Sequence, residues 1–202
     1  NSLRQFNPKL IGQANGIGQW TNEPIAHLDM GVPGEKAKDI PDQARALVKR
    51  IKEDYASQID INKDWKLVTI FIGANDMCAY CNYPDEYSPD NFYQHMHDGI
   101  TYLKENLPRT VVQIVSIIDI GLLRVAQCSY KAHMNSKDIG DCRRCNFTHS
   151  IECDCIVNYS FTDQQYRDLA TGFQQASRKL EQSGDFDTSD DFTLVVQPFF
   201  ED

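Results

Sequence analysis

Basic charge is scarce in this 202-residue chain: 20 Lys and Arg stand against 29 Asp and Glu, for a net charge of -9. Binding nucleic acid needs clustered cations to neutralise phosphates, so this balance argues against a nucleic-acid partner. No apolar run reaches the roughly 20 residues of a membrane span, and no signal-peptide pattern opens the chain. The first residue is Asn1 rather than Met, and Leu3-Arg4-Gln5-Phe6 reads as the middle of a structure, so the missing leader says little about targeting. No strand-like run is followed by a glycine-rich phosphate loop or a dinucleotide fingerprint, which leaves a nucleotide partner without support. Gly12 to Gly18 is glycine-rich but has the wrong spacing and no helix after it. Gly-x-Ser-x-Gly and His-Glu-x-x-His are both missing. The histidines, His27, His95, His97, His133 and His149, are scattered, and His95 and His97 lie two apart on a predicted helix, facing different ways. Internal repeats and low-complexity tracts are also missing.

What is present is ordinary globular composition, 41% apolar and 24% charged, in a length that suits one domain with a full core. The chain is organised around Trp65-Lys66-Leu67-Val68-Thr69-Ile70-Phe71-Ile72-Gly73-Ala74-Asn75-Asp76. Its first part is an apolar, β-branched run of the kind a sheet buries on both faces, predicting a strand over 66–72. Its end, Gly73-Ala74-Asn75-Asp76, reads as a turn of small and hydrogen-bonding residues. Residues 1–37 are turn-rich, with short extended pieces expected at Lys9-Leu10-Ile11 and Ile25-Ala26-His27-Leu28. Ile40, Ala44, Leu47, Val48 and Ile51 recur at helical spacing behind Pro41, predicting a helix over 39–56. Ser88-Pro89-Asp90 is a helix start, followed by the stripe Phe92, Met96, Ile100 and Leu103. A second strand is expected over Thr110–Ile118, a third helix from Thr162 to Ser183 with Gly184 as its stop, and a third strand over 192–196. Strands alternating with long amphipathic helices imply βαβ units and a parallel sheet covered on both faces. Right-handed crossovers then bring the 73–76 loop and the Ile118-Asp119 end to one rim, the edge where open α/β sheets place their ligands.

Seven cysteines suggest the compartment: Cys78 and Cys81 beside the organising loop, then Cys128, Cys142, Cys145, Cys153 and Cys155. Most fall in a polar excursion over residues 124–160, together with the glycosylation sequons at Asn146 and Asn158. That combination favours disulfides in an oxidising, extracellular setting over a zinc site built on Cys142–Cys155. The odd cysteine implies a free thiol or a partner outside this segment. Cys78-Ala-Tyr-Cys81 has the spacing of a redox pair, but in a loop after a strand it lacks the helix start that lowers a thiolate pKa, and a structural disulfide pinning the loop is preferred. For Asn75 the residues leave two readings open. Its amide is either a donor aimed at developing negative charge or part of an ordinary turn.

Gly73-Ala74-Asn75-Asp76-Met77-Cys78-Ala79-Tyr80-Cys81 resembles the third sequence block of the SGNH (GDSL) hydrolases, and in particular their membrane-associated phospholipase B branch, where Gly-x-Asn-Asp is followed by Cys-x-x-Cys. Arg4-Gln5-Phe6-Asn7-Pro8, Asp39-Ile40-Pro41 with Gln43-Ala44-Arg45, Tyr87-Ser88-Pro89-Asp90-Asn91-Phe92, and Asp191-Phe192-Thr193 through Phe199-Phe200 are similar to the same branch, in order. The resemblance implies a three-layer α/β/α, flavodoxin-like domain with a mostly parallel sheet, occupying 1–202, truncated at both ends and carrying the 124–160 insertion. It implies serine-esterase chemistry on phospholipid and lysophospholipid acyl esters at a membrane surface, with no metal or cofactor. The parent would be secreted or cell-surface, anchored through parts outside this chain. By position Asn75 and Gly34 match the oxyanion donors, with Gly31 the alternative to Gly34 because Asp29 stands where the family commonly has Asn, while Gly73 and Asp76 match loop-structuring positions. No Gly-Asp-Ser occurs in the chain, and no histidine has Asp three residues before it. Ser116 and His133 sit in no nucleophile or base context and are no substitutes. The segment therefore resembles a catalytic domain's middle, inactive alone. Two alternatives are a hydrolase-like binding domain without catalysis and the zinc-dependent interaction module.

Overall fold

The computed structural model of the chain describes residues 2–18, 20–123, 153, 155 and 161–201. Cys128, Cys142, Cys145, Asn146 and Asn158 lie outside the described residues, and so does the greater part of the 124–160 excursion.

Three strands, β1 (Lys66–Ile70), β2 (Thr110–Val115) and β3 (Phe192–Gln197), form one sheet in the order β1-β2-β3. Both pairings are parallel, with Val68 opposite Val112 and Val112 opposite Leu194. The connections carry the helices that parallel pairing requires. Before the sheet come α1 (Glu23–Ala26) and α2 (Ile40–Glu53). Between β1 and β2 lie α3 (Ala74–Tyr80) and α4 (Pro89–Asn106), and α5 (Asp163–Gln182) precedes β3. The sequence signals for the long helices match their ends. Ser88 caps α4 by accepting from Asn91 N–H, and Thr162 and Gln165 form a reciprocal capping box on α5. Past α5, Gly184 takes φ +77, the left-handed turn that stops a helix.

Val68, Ile70, Val112, Ile114, Leu194 and Val196 share one face of the sheet and merge with the apolar stripes of α2, α4 and α5 in a single core. Gly99 of α4 lets α2 come close: a Cβ there would stand 2.6 Å from Ile40 Cγ2. The opposite face carries Leu67, Thr69, Val111, Gln113, Val115 and Val195, all exposed or half-buried. The α/β class and parallel sheet are those expected, but among the described residues the helical layer covers one face, so burial alternates along each strand.

The turn-rich beginning differs from expectation. Residues 9–11 form no strand, and residues 25–28 are not extended. Pro24 instead starts the single turn α1, which ends at His27 with φ +52. That left-handed residue is held from outside. Its ring nitrogens contact Asn15 Nδ2 and the Tyr55 hydroxyl, and its carbonyl accepts from the Arg50 guanidinium at 2.8 Å. No helix among the described residues is long and apolar enough to cross a membrane.

Candidate functional site

The carboxyl end of β1 runs straight into α3, so Gly73-Ala74-Asn75-Asp76 is a helix start and not the free turn that its composition suggests. Gly73 is the N-cap, with φ +119. A Cβ on it would lie 3.3 Å from Phe92 Cε2 and 3.5 Å from Ile117 Cγ1. The backbone angle calls for glycine, and a Cβ would in addition press on the Phe92 ring. The helical signal was present in the sequence, since Ala74, Met77, Cys78 and Cys81 recur at helical spacing and all pack in or against the core. Four small polar residues taken alone obscured it.

The first turn of α3 grips a second loop. Val32-Pro33-Gly34-Glu35 is a Pro-Gly turn in which Glu35 N–H donates to Val32 C=O at 3.3 Å and Gly34 has φ +87. The Asn75 amide donates to Glu35 C=O at 2.8 Å, one residue past Gly34. The Asp76 carboxylate accepts from Ala37 N–H at 3.1 Å on each oxygen. Asn75 and the 34–37 loop, 40 residues apart in sequence, therefore form one unit. An amide nitrogen carries two hydrogens; the second on Asn75 and the N–H of exposed Gly34 make no hydrogen bond among the described residues. The N–H of Gly31, by contrast, is taken by the Asp29 carboxylate at 2.9 Å. Burial pushes the Asp76 carboxyl up to about 6, the Ala37 N–H opposing the shift without cancelling it. The sequence singled out neither Glu35 nor Ala37, because their contribution is backbone C=O and N–H, which every residue has.

The same stretch anchors the cysteines. Cys78 pairs with Cys153 and Cys81 with Cys155, so the Cys-x-x-Cys spacing is not a pair. Cys78 in α3 and Cys81 at its C-cap lie one turn apart on the same side, and residues 153 and 155 bring matching thiols to them. The loop assigned to this motif is thus a helix, and its disulfides reach 75 and 74 residues along the chain. With Cys153 and Cys155 engaged this way, a zinc set drawn from Cys142–Cys155 loses half its ligands. Among the described residues no group of three His, Cys, Asp or Glu converges for a metal ion.

At the far end of the rim, buried Ser116 donates to Glu201, which also holds Arg178 at 3.0 Å. This cluster pins the chain after β3 to β2 and α5, and among the described residues no histidine takes part in its hydrogen bonds.

Comparison with known proteins bears on this geometry. The family model described as GDSL-like Lipase/Acylhydrolase matches residues 1–202. The chain is 38% identical over 207 residues to "Phospholipase B1, membrane-associated" of Homo sapiens, an alignment covering 100% of this chain and 13% of that protein. It is 35% identical over 204 residues to the protein of the same name in Rattus norvegicus, covering 100% of this chain and 13% of the relative. For the Mus musculus protein the identity is 31% over 203 residues, with 98% and 13% covered. The chain thus spans about an eighth of the length of these curated relatives, 13% in each case. No solved structure matches it.

Proposed function

Because the chain belongs to the GDSL-like lipase/acylhydrolase family, we propose that it is part of a phospholipase B-like serine esterase cleaving the acyl esters of phospholipids and lysophospholipids. The observation that carries this reading is the Asn75–Glu35 bond, which seats a side-chain amide beside the Gly34 turn with one amide hydrogen still free. Such preorganised donors suit the tetrahedral oxyanion of acyl transfer, which forms when a nucleophile attacks the ester carbonyl. Asn75 and Gly34 supply two donors, and Gly73 and Asp76 hold them in place. The serine nucleophile and its Asp-x-x-His partners belong to flanking parts of the parent protein, since neither block occurs in this sequence. The serine oxygen attacks the acyl carbon, histidine takes its proton, and the leaving glycerol oxygen receives that proton as the acyl-enzyme forms. Water then releases the fatty acid by the reverse path. This chemistry calls for no metal or cofactor. The two disulfides and the membrane-associated relatives support an extracellular or cell-surface location.

A second reading, a hydrolase-like binding domain without catalysis, is favoured by the same missing Ser and His blocks. One experiment separates them. The full-length protein carrying this segment is assayed on a short-chain phospholipid, with and without Asn75→Ala, folding being checked by thermal melting. Loss of one oxyanion donor is expected to lower kcat by about 10²–10³, while the isolated segment turns over no ester. Unchanged turnover in the variant removes the oxyanion role, and a full-length protein with no turnover supports the binding domain.

A further inference from the structure

We propose that Lys36 reads the phosphate of the substrate's headgroup, making the preferred ester that of a phosphorylated glyceride and not of a neutral one. This rests on the acyl-hydrolase reading above and assigns it a specificity residue. Lys36 lies two residues past Gly34, and the backbone on either side of it is gripped by α3. Glu35 C=O accepts from Asn75, and Ala37 N–H donates to Asp76. The Lys36 backbone is therefore fixed relative to the Asn75 amide, in an extended conformation with φ -127 and ψ 174. From there its ammonium reaches 5.4 Å from the centre of the Tyr87 ring, and the Lys38 ammonium lies 5.3 Å from the same ring.

The two cations differ in what already occupies them. Lys38 is held by Glu86 at 2.9 Å and by the Tyr87 hydroxyl at 3.2 Å. For Lys36, among the described residues, no carboxylate oxygen lies within 4.0 Å of Nζ, and the ring is its neighbour. The carboxylates around it are hydrogen-bonded to other groups: Glu35 accepts from Gln43, and Asp39 from the Lys36 backbone N–H at 2.9 Å. Glu86 accepts from Lys38 and Asp76 from Ala37 N–H, and these two feel the Lys36 charge only at longer range. An ammonium over an aromatic face keeps hydrogens for an incoming anion. Elsewhere a net charge of -9 makes the surface inhospitable to phosphate. A glycerophospholipid carries its ester and its phosphate on one glycerol, so holding the carbonyl at Asn75 brings the phosphodiester to the adjoining surface of this loop.

The test uses the full-length protein, as wild type, Lys36→Met and Lys36→Arg, with dihexanoylphosphatidylcholine and dihexanoylglycerol as substrates. In Lys36→Met the ratio of the phospholipid KM to the neutral-ester KM is expected to rise about tenfold, the scale of one charge-assisted hydrogen bond in partly wet surroundings. Lys36→Arg should hold the ratio within about threefold of wild type, because it keeps the charge and the donors. As inhibitors, glycerophosphocholine should weaken about tenfold in Lys36→Met, whereas inorganic phosphate should compete poorly in both proteins. An unchanged KM ratio overturns the assignment, and inorganic phosphate inhibiting as well as glycerophosphocholine overturns the headgroup as the source. If wild type cleaves neither substrate, the acyl-hydrolase reading falls and takes this inference with it.

Discussion

Asp76 is 3% exposed and shares one backbone donor, Ala37 N–H, between its two oxygens. Burial outweighs this bond and the weaker help of its own backbone N–H and the Lys36 charge, so its pKa rises from 3.8 to about 6. The folded state then holds the proton more tightly than the unfolded one. Its contribution to stability is full below about pH 4 and is lost as pH rises to about 6. Two pKa units correspond to about 3 kcal/mol. Urea denaturation of wild type and Asp76→Asn at pH 4 and pH 7 measures this: the stability difference between them should shift by about that amount against wild type. Parallel pH profiles would show that the carboxyl does not titrate this way.

At the scale of elements, Gly99 shows packing overriding propensity. Replacing an interior helical glycine by alanine ordinarily gains about 1 kcal/mol. Here the added methyl group meets Ile40 Cγ2 at 2.6 Å and the Ile40 carbonyl carbon at 3.3 Å. The backbone atom cannot rotate away, and overpacking costs about 1–3 kcal/mol. Gly99→Ala should therefore lower the denaturation midpoint, whereas an exposed α4 position such as Glu105→Ala should barely move it. The caps at Ser88 and Thr162 behave more simply. Changing either to Ala removes an N–H acceptor and should cost about 1 kcal/mol in the same measurement.

For the molecule as a whole, the disulfides join α3 to residues 75 and 74 positions further along, with Cys153 and Cys155 buried in the core. Loops that long restrict the unfolded chain strongly, so replacing Cys78 and Cys153 together by Ser should cost about 2–4 kcal/mol. Of seven cysteines four are bonded in this way, so the unreduced, denatured chain should show at most three free thiols. Seven free thiols with stoichiometric zinc would restore the metal-module alternative.

The sequence by itself determined the strands, the long helices, their caps and the parallel sheet, because periodicity and capping are local and each signal sits within a few residues of its effect. Ile25–Leu28 was misjudged because His27 is held by partners distant in sequence, Arg50 in the last turn of α2 and Tyr55 just past its end. Resemblance picked out Asn75 and Gly34, but which groups meet was decided only in three dimensions. The Asn75 amide and Asp76 carboxylate close on backbone groups of Glu35 and Ala37, which carry no side-chain signature to read. The cysteine pairing was hidden for the same reason. Neighbours in sequence share a helix face, and each of these thiols has its partner about seventy-five residues along the chain, brought near by the folded core.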